Sequence, residues 1–230
     1  MNPNKTTARY FGVFFLCGYA AYIAGNVLVG NATNTPSNLA NIVASRTHVI
    51  AGAIFMGIVE AFFNIGMAVI IFPTVKRFNK IAAYGYLSAA IASTVMLTIG
   101  AVSLLLLVPV SDEFVKAGAN APAYFQTLSL LCIKGNYFAY QIGMAIWGLG
   151  GLLLCYLLYI SALVPRPIAV WGFIGYVIFA AGTIFELYGI PIGVYLDIPG
   201  GLFELFLSGW CIVRGFNITA LNATALNVAE

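Results

Sequence analysis

The chain has 230 residues, of which 62% are hydrophobic and only 7% are charged, and its mean hydropathy is +0.98. These values lie outside the range of soluble globular domains and predict an integral membrane protein. The formal net charge of +3 is not gathered into a basic patch interleaved with aromatic residues. We therefore predict membrane lipids as surroundings and no nucleic-acid partner.

Six apolar runs follow one another, each near the length of about 20 residues that crosses a hydrocarbon core. The spans are predicted at residues 10–29, 48–73, 81–109, 136–163, 168–189 and 199–216. The basic start resembles a signal peptide, but the first apolar run is longer than such peptides use, which favours a retained span. The polar breaks leave no room for a soluble domain. We predict an all-α membrane protein, a six-transmembrane-helix bundle forming a single domain over residues 1–230.

Lys and Arg residues are distributed unevenly between the two ends of these spans. Seven of the ten lie on the side of both termini, namely Lys5, Arg9, Lys76, Arg77, Lys80, Arg166 and Arg214. By the positive-inside rule this side is cytoplasmic, so both termini are predicted to be cytoplasmic. An even number of spans agrees with that orientation.

The segment before the fourth span is too long for one simple crossing. A single helix over residues 124–164 would be about 60 Å long at 1.5 Å per residue, roughly twice a bilayer core. We therefore predict a break near Lys134, Gly135 and Asn136, with an outer interfacial helix over residues 122–133.

Three carboxylates fall on small or polar helix stripes, which predicts that they face protein rather than lipid. In span two this stripe comprises Ala53, Met56, Gly57, Glu60, Asn64 and Met67, and in span six Glu204 lies opposite Leu202, Phe203 and Phe206. At 1.5 Å per residue, Glu60 is predicted about 20 Å below the outer boundary. Glu186 of span five and Glu204 are predicted only about 5 to 8 Å deep, where Lys134 is the natural partner for one of them.

These groups define the candidate ligand-binding site, a polar cavity that opens outward. Its predicted lining is Lys134, Gln141, Glu186 and Glu204, with Glu60 and Asn64 at its floor. No basic residue is predicted at the level of Glu60, so we expect this carboxyl to be neutral or to hold a cation, because burial disfavours the free anion. Three roles for Glu60 are open: a hydrogen-bonded clamp between helices, a binding or conduction site, or a general acid/base.

The sequence carries no motif for known catalytic or metal chemistry. HExxH, GxSxG, Walker and Asp-rich metal motifs are absent, and the cysteines Cys17, Cys132, Cys155 and Cys211 are spread singly. His48 is the sole histidine, and we predict that it is a surface residue. We predict no catalytic residue, no metal site and no cofactor.

Several segments resemble a family of bacterial six-span membrane proteins known only as a domain of unknown function. They are TTARYFGVFF near the start, FVKAGANAPAYFQTL (114–128), YLLYISALVPRPIAVWGFIG (156–175) and GLFELFLSGWCIVRGF (201–216). The resemblance implies six helices in a prokaryotic cytoplasmic (inner) membrane and supplies no activity. Glu60 and Glu204 match acidic positions of the family, whereas GYLSAAIAS (85–93) lacks the Arg and Glu that its third helix often carries.

Our functional hypothesis is a non-enzymatic membrane protein that binds or passes a small molecule, lipid or proton through the outward cavity. One alternative is an accessory or scaffold subunit with a membrane-protein partner, or a homo-oligomer. An intramembrane lipid-modifying enzyme using Glu60 ranks last, because no second catalytic group is predicted at its depth.

Overall fold

The computed structural model describes residues 3–33, 38–118 and 121–217, and all regular secondary structure in these ranges is helical. The helices are α1 (Pro3–Thr33), α2 (Asn38–Ala44), α3 (Arg46–Ile54), α4 (Glu60–Val75), α5 (Lys80–Leu105), α6 (Leu107–Ala117), α7 (Tyr124–Ser161), α8 (Arg166–Leu187) and α9 (Gly193–Val213). A π-helical segment, Phe55–Val59, joins α3 to α4.

Within the described ranges, six helical segments are long and apolar enough to cross a membrane. They are Lys5–Thr33, Arg46–Val75, Lys80–Ala117, Tyr124–Ser161, Arg166–Leu187 and Gly193–Val213. The predicted number and order of long apolar helical segments are therefore confirmed. The largest difference in bounds is at the fourth segment, which begins at residue 124 rather than 136.

The predicted break at residues 134–136 is wrong, because α7 runs without interruption from Tyr124 to Ser161. Gly135 packs against α5, where a Cβ atom added to it would lie 3.1 Å from Ser103 Oγ. One added to Gly100 would lie 2.9 Å from Asn136 Oδ1. Small residues allow two helices to approach closely in this way. Gly135 is thus a packing residue within a helix, and the interfacial position of residues 122–133 stays a prediction.

The π-helical segment leads directly into Glu60. Its Gly57 lies close to α5, since an added Cβ atom would be 3.0 Å from Ala101 Cβ. The one hydroxyl proton of Thr98 on α5 is shared between two carbonyl oxygens, with Oγ1 lying 3.3 Å from that of Gly57 and 2.9 Å from that of Thr94. Isolated π-helical turns inside α-helices are frequent at functional sites, which makes this stretch of the second span distinctive.

The chain divides into two compact units. The first comprises the described residues of Met1–Cys17, Phe63–Ser93 and Gln141–Glu230, and the second those of Gly18–Phe62 and Thr94–Tyr140. The second unit has an apolar core that includes Ile42, Val49, Met56, Leu104 and Leu107. Its α3 and α6 are joined by an ion pair of 3.0 Å between Arg46 and Asp112. The single-domain organisation of the chain stays a prediction.

In the first unit, α8 and α9 form a closely packed antiparallel pair. A Cβ atom on Gly175 would lie 3.2 Å from Gly200 Cα, and one on Gly172 would overlap the Phe203 ring. Phe203 is fully buried by this packing, so the prediction that it faces away from the bundle with Leu202 and Phe206 is wrong. The glycines bring the two helix backbones together, and this separation sets the geometry of the carboxylate site on α9.

Candidate buried carboxylate site

Glu204 lies in the middle of α9 and is only 3% exposed. The helix begins at Gly193 rather than at residue 199, so Glu204 lies 11 residues from its start. At 1.5 Å per residue this is about 16 Å. The predicted depth of about 5 to 8 Å is counted from a helix start at residue 199, because hydropathy assigns residues 193–198 to a loop; the helix start is wrong, and the depth stays a prediction.

Two aromatic side chains donate hydrogen bonds to the same carboxylate oxygen. Trp147 Nε1 of α7 lies 2.8 Å from Glu204 Oε1, and Tyr176 Oη of α8 lies 2.7 Å from it. Both aromatic residues are buried. Hydrogen bonds to an ionised acceptor are stronger than those between neutral groups. Three helices thus meet at one oxygen atom.

The packing around the two donors fixes their positions. Gly151 makes room for Tyr176, because a Cβ atom added there would overlap the tyrosine ring. The Trp147 ring meets Phe15 edge-on at a centroid distance of 6.0 Å, and Tyr176 meets Phe203 in the same manner at 5.7 Å. Such edge-to-face arrangements are favoured between aromatic rings. These ring contacts help to orient the two donors toward Glu204.

A third tyrosine, Tyr86 of α5, belongs to the same buried group. It is 2% exposed, and its hydroxyl interacts electrostatically with Glu204 and Cys155. Within the described residues, Tyr86 Oη is a buried oxygen with no hydrogen-bond partner, and so is Ser93 Oγ, seven residues further along the same helix. Buried hydroxyls of this kind are rare in proteins and call for a structural or functional explanation.

Glu60 forms a separate buried carboxylate in the second unit. It is 3% exposed and follows the π-helical segment. Its charge interacts electrostatically with the Tyr22 hydroxyl, and Tyr22 stacks on Tyr140 with a centroid distance of 5.5 Å. Glu60 therefore also lies near a tyrosine hydroxyl.

Two other predicted site residues have different surroundings. Glu186 Oε1 accepts a hydrogen bond of 2.8 Å from the backbone N–H of Gly193, at the start of α9. Lys134 is exposed and its Nζ lies 5.1 Å from the centre of the Tyr137 ring. The two ion pairs in the described parts of the chain join Arg46 with Asp112 and Lys116 with Glu113, so neither contains Lys134.

Asn64 and Gln141 are both buried, at 9% and 7% exposure. Within the first unit, Glu186 and Glu204 lie at different levels, since Glu186 contacts the first residue of α9 and Glu204 lies 11 residues beyond it. The outward cavity lined by the six predicted residues stays a prediction.

Sequence reasoning identified Glu204 but not its aromatic neighbours. The sequence does not single out Trp147, Tyr176 and Tyr86, because aromatic residues in membrane proteins usually serve helix packing or interfacial belts. One signal was present: Trp147, Gly151 and Cys155 follow one another at intervals of four residues and share one face of α7. Trp147 supplies an N–H donor, while Gly151 and Cys155 leave space on the same helix face, and this combination is suited to enclosing a polar group.

In the described residues, six helices long and apolar enough to cross a membrane indicate an integral membrane protein, and Glu204 is a buried carboxylate within its first unit. A family model described as a domain of unknown function (DUF4386) matches residues 10–215. The match covers most of the chain, and the protein belongs to this family, which confirms the resemblance seen in the sequence. No curated protein and no solved structure matches the chain.

Proposed function

We propose that this protein is a non-enzymatic, multi-pass protein of a prokaryotic cytoplasmic membrane and that its interior carboxylate, Glu204, binds and releases a proton. Intramembrane carboxylates are costly to insert and often mark ion or proton pathways. The observation that carries the proposal is the pair of hydrogen bonds from Trp147 and Tyr176 to a single oxygen of Glu204.

Burial favours a proton as the ligand. Glu204, Trp147 and Tyr176 are 3%, 7% and 1% exposed, respectively. An organic molecule would have to displace these side chains, whereas a proton needs only a chain of groups that can donate and accept. Hydroxyl groups can do both. Tyr86 and Ser93 supply two buried hydroxyls on the same helix without competing hydrogen bonds among the described residues.

Protonation would alter the contact between helices. The anionic oxygen is suited to two donors, one from α7 and one from α8. A neutral carboxyl accepts weaker hydrogen bonds than the anion. Proton uptake at Glu204 would therefore loosen α9 from both neighbours, which links the charge of one side chain to the packing of three helices.

The orientation proposed with this function has both termini in the cytoplasm. Its support is the distribution of basic residues, with seven of ten at the ends of the spans nearest the termini.

Infrared difference spectroscopy on the purified protein tests proton binding directly. Acidification of the wild type should produce C=O stretching bands of protonated carboxyl groups, and the band that belongs to the buried Glu204 carboxyl should be missing from Glu204→Gln. Glu186→Gln is the matched control, because Glu186 lies on α8 and bonds a helix terminus; it should retain the band. Identical spectra from wild type and Glu204→Gln would overturn the proposal.

A further inference from the structure

A basic cavity lies at the end of the first unit where α7 and α9 end and α8 begins. Its volume is about 520 Å³, and it is lined by residues 162–166, which connect α7 to α8, by Trp210 and by residues 214–217. The side chains that matter for its chemistry are Arg166, Trp210 and Arg214. None of the ten lining residues is acidic.

Two further cations lie nearby, at the start of α1. Gly215 packs against Lys5, since a Cβ atom added to the glycine would lie 3.1 Å from the Lys5 Cγ. Arg9 Nε donates a hydrogen bond of 3.2 Å to the Ile212 carbonyl oxygen. Four positively charged side chains are therefore gathered around the end of α9, so the cavity lies in a region of positive potential.

The walls of the cavity are fixed by contacts within the first unit. The Arg166 guanidinium lies over the Tyr159 ring, with 5.5 Å between Cζ and the ring centre. The backbone N–H of Asn217 donates to the Leu163 carbonyl oxygen at 2.9 Å and ties the two walls together. Ala162 has a φ of 49°, unusual for a residue with a side chain. Strained backbone of this kind is found most often at functional sites.

The helix ends at the cavity also favour an anion. The N-cap residue of α8 is Pro165, which makes no side-chain hydrogen bond to the helix, so the positive end of this helix dipole is not capped. Carbonyl groups at the negative end of the α9 dipole already accept hydrogen bonds. The Trp210 carbonyl accepts from the N–H groups of Arg214 and Gly215. Arg9 bonds the Ile212 carbonyl.

We propose that this cavity binds a phosphate-bearing anion, either the headgroup of an anionic lipid or a soluble phosphate compound. Guanidinium groups present paired N–H donors whose geometry matches the oxygens of phosphate. Basic pockets between helices on the cytoplasmic side of membrane proteins bind anionic headgroups. The adjacent Val213 is 67% exposed, which provides an apolar surface for acyl chains beside Arg214.

The test measures the thermal unfolding midpoint of the full-length protein in a mild detergent. One arm adds inorganic phosphate against sodium chloride of equal ionic strength, and the other adds phosphatidylglycerol against phosphatidylcholine. At least one of the two phosphate-bearing additions should raise the midpoint of the wild type. Arg166→Gln and Arg214→Gln should each weaken the apparent affinity about tenfold, as expected for the loss of a charge-assisted hydrogen bond.

Arg77→Gln is the matched control, because it removes one charge from an exposed arginine that does not line the cavity. Arg166→Lys is a second variant that keeps the charge but not the planar donor pair, and it should show an intermediate effect. Midpoints without additions show whether each variant is folded. A shift with the lipid alone identifies a headgroup, and a shift with phosphate alone identifies a soluble anion. No shift with either addition, or an equal loss in Arg77→Gln, overturns the proposal.

Discussion

Gly172 of α8 lies so close to Phe203 of α9 that a Cβ atom at position 172 would overlap the phenylalanine ring. One turn further along α8, the Tyr176 hydroxyl reaches Glu204, the residue after Phe203, at 2.7 Å. The absence of a side chain at Gly172 therefore allows the helix separation at which the Glu204 carboxylate receives the hydrogen bond from Tyr176. The packing of this helix pair and the geometry of the site depend on the same contact.

Gly172→Ala should destabilise the protein by about 1 to 3 kcal/mol, the usual cost of forcing an extra methyl group into a filled space. Unfolding by a denaturing detergent measures this change. Gly209→Ala is the control, because an added Cβ atom there meets nothing within 4 Å and the helix gains up to about 1 kcal/mol in intrinsic propensity. Equal behaviour of the two variants would contradict the close approach of α8 and α9.

Tyr176→Phe removes the hydroxyl that donates to Glu204 and leaves the ring in place. The free energy of unfolding should fall by about 1.5 to 3 kcal/mol, as for other hydrogen bonds to charged groups. Tyr159→Phe should change it by less than about 0.5 kcal/mol, because Tyr159 is 44% exposed. A double-mutant cycle with Glu204→Gln should give a coupling free energy of at least about 0.5 kcal/mol; strict additivity would mean that the two side chains do not interact.

Thr98→Val removes the hydroxyl shared between the Gly57 and Thr94 carbonyls. We expect a loss of about 0.5 to 1.5 kcal/mol, the usual net value of one hydrogen bond. Amide hydrogen exchange should become faster at residues 55–60, because the contact holds the π-helical segment against α5. Ser103→Ala removes a hydroxyl that donates to the Ile99 carbonyl within α5, and it should leave exchange at residues 55–60 unchanged. Unaltered exchange in Thr98→Val would show that the contact does not hold the segment.

Ala162→Gly should raise the stability of the protein by about 1 kcal/mol, because glycine adopts a positive φ without the steric cost of a Cβ atom. Thermal unfolding in detergent provides the measurement. Ala123→Gly is the control, because Ala123 also lies outside the helices. Its φ is not positive, since Ala162 is the one residue with a positive φ among the described non-glycine residues. That variant should lose a few tenths of a kcal/mol. A loss at residue 162 would argue against the backbone strain.

The polar stripe of the second span was predictable from sequence. Ala53, Met56, Gly57, Glu60, Asn64 and Met67 are all buried, whereas Ile54, Phe55, Ile58, Phe62 and Val69 on the other side are all exposed. The reason is that carboxyl, amide and small side chains avoid lipid. Their positions on a helix therefore identify the face that contacts protein.

Aromatic and aliphatic side chains carry no such signal, because lipid and protein interior are both apolar surroundings. Phe203 was assigned to the outer face on these grounds and is fully buried. Trp147 and Tyr176, which bond Glu204, were missed for the same reason. Which large side chain faces inward is decided by the glycines of the neighbouring helix, such as Gly151 and Gly172, and that complementarity involves residues distant in the sequence.

Helix ends are the other feature that the sequence does not predict correctly. Gly135 was interpreted as a break, although its lack of a side chain serves contact with Ser103. The start of α9 was placed too late because the Asp197 region is less apolar than the rest. Helix bounds predicted from hydropathy follow polarity, whereas the backbone continues as long as its hydrogen bonds are made.

The hydrogen bond from Arg9 to the Ile212 carbonyl joins residues 203 positions apart. Gly12 lies against α9 as well, since an added Cβ atom would be 2.5 Å from the Ser208 carbonyl oxygen. Synthesis proceeds from the N-terminus, so α1 is complete long before α9 exists. The contacts that Gly12 and Arg9 make with α9 consequently cannot form until the ribosome has added α9. A chain truncated before α9 would leave the face of α1 around Gly12, and the Arg9 guanidinium beside it, to any other helix in the membrane.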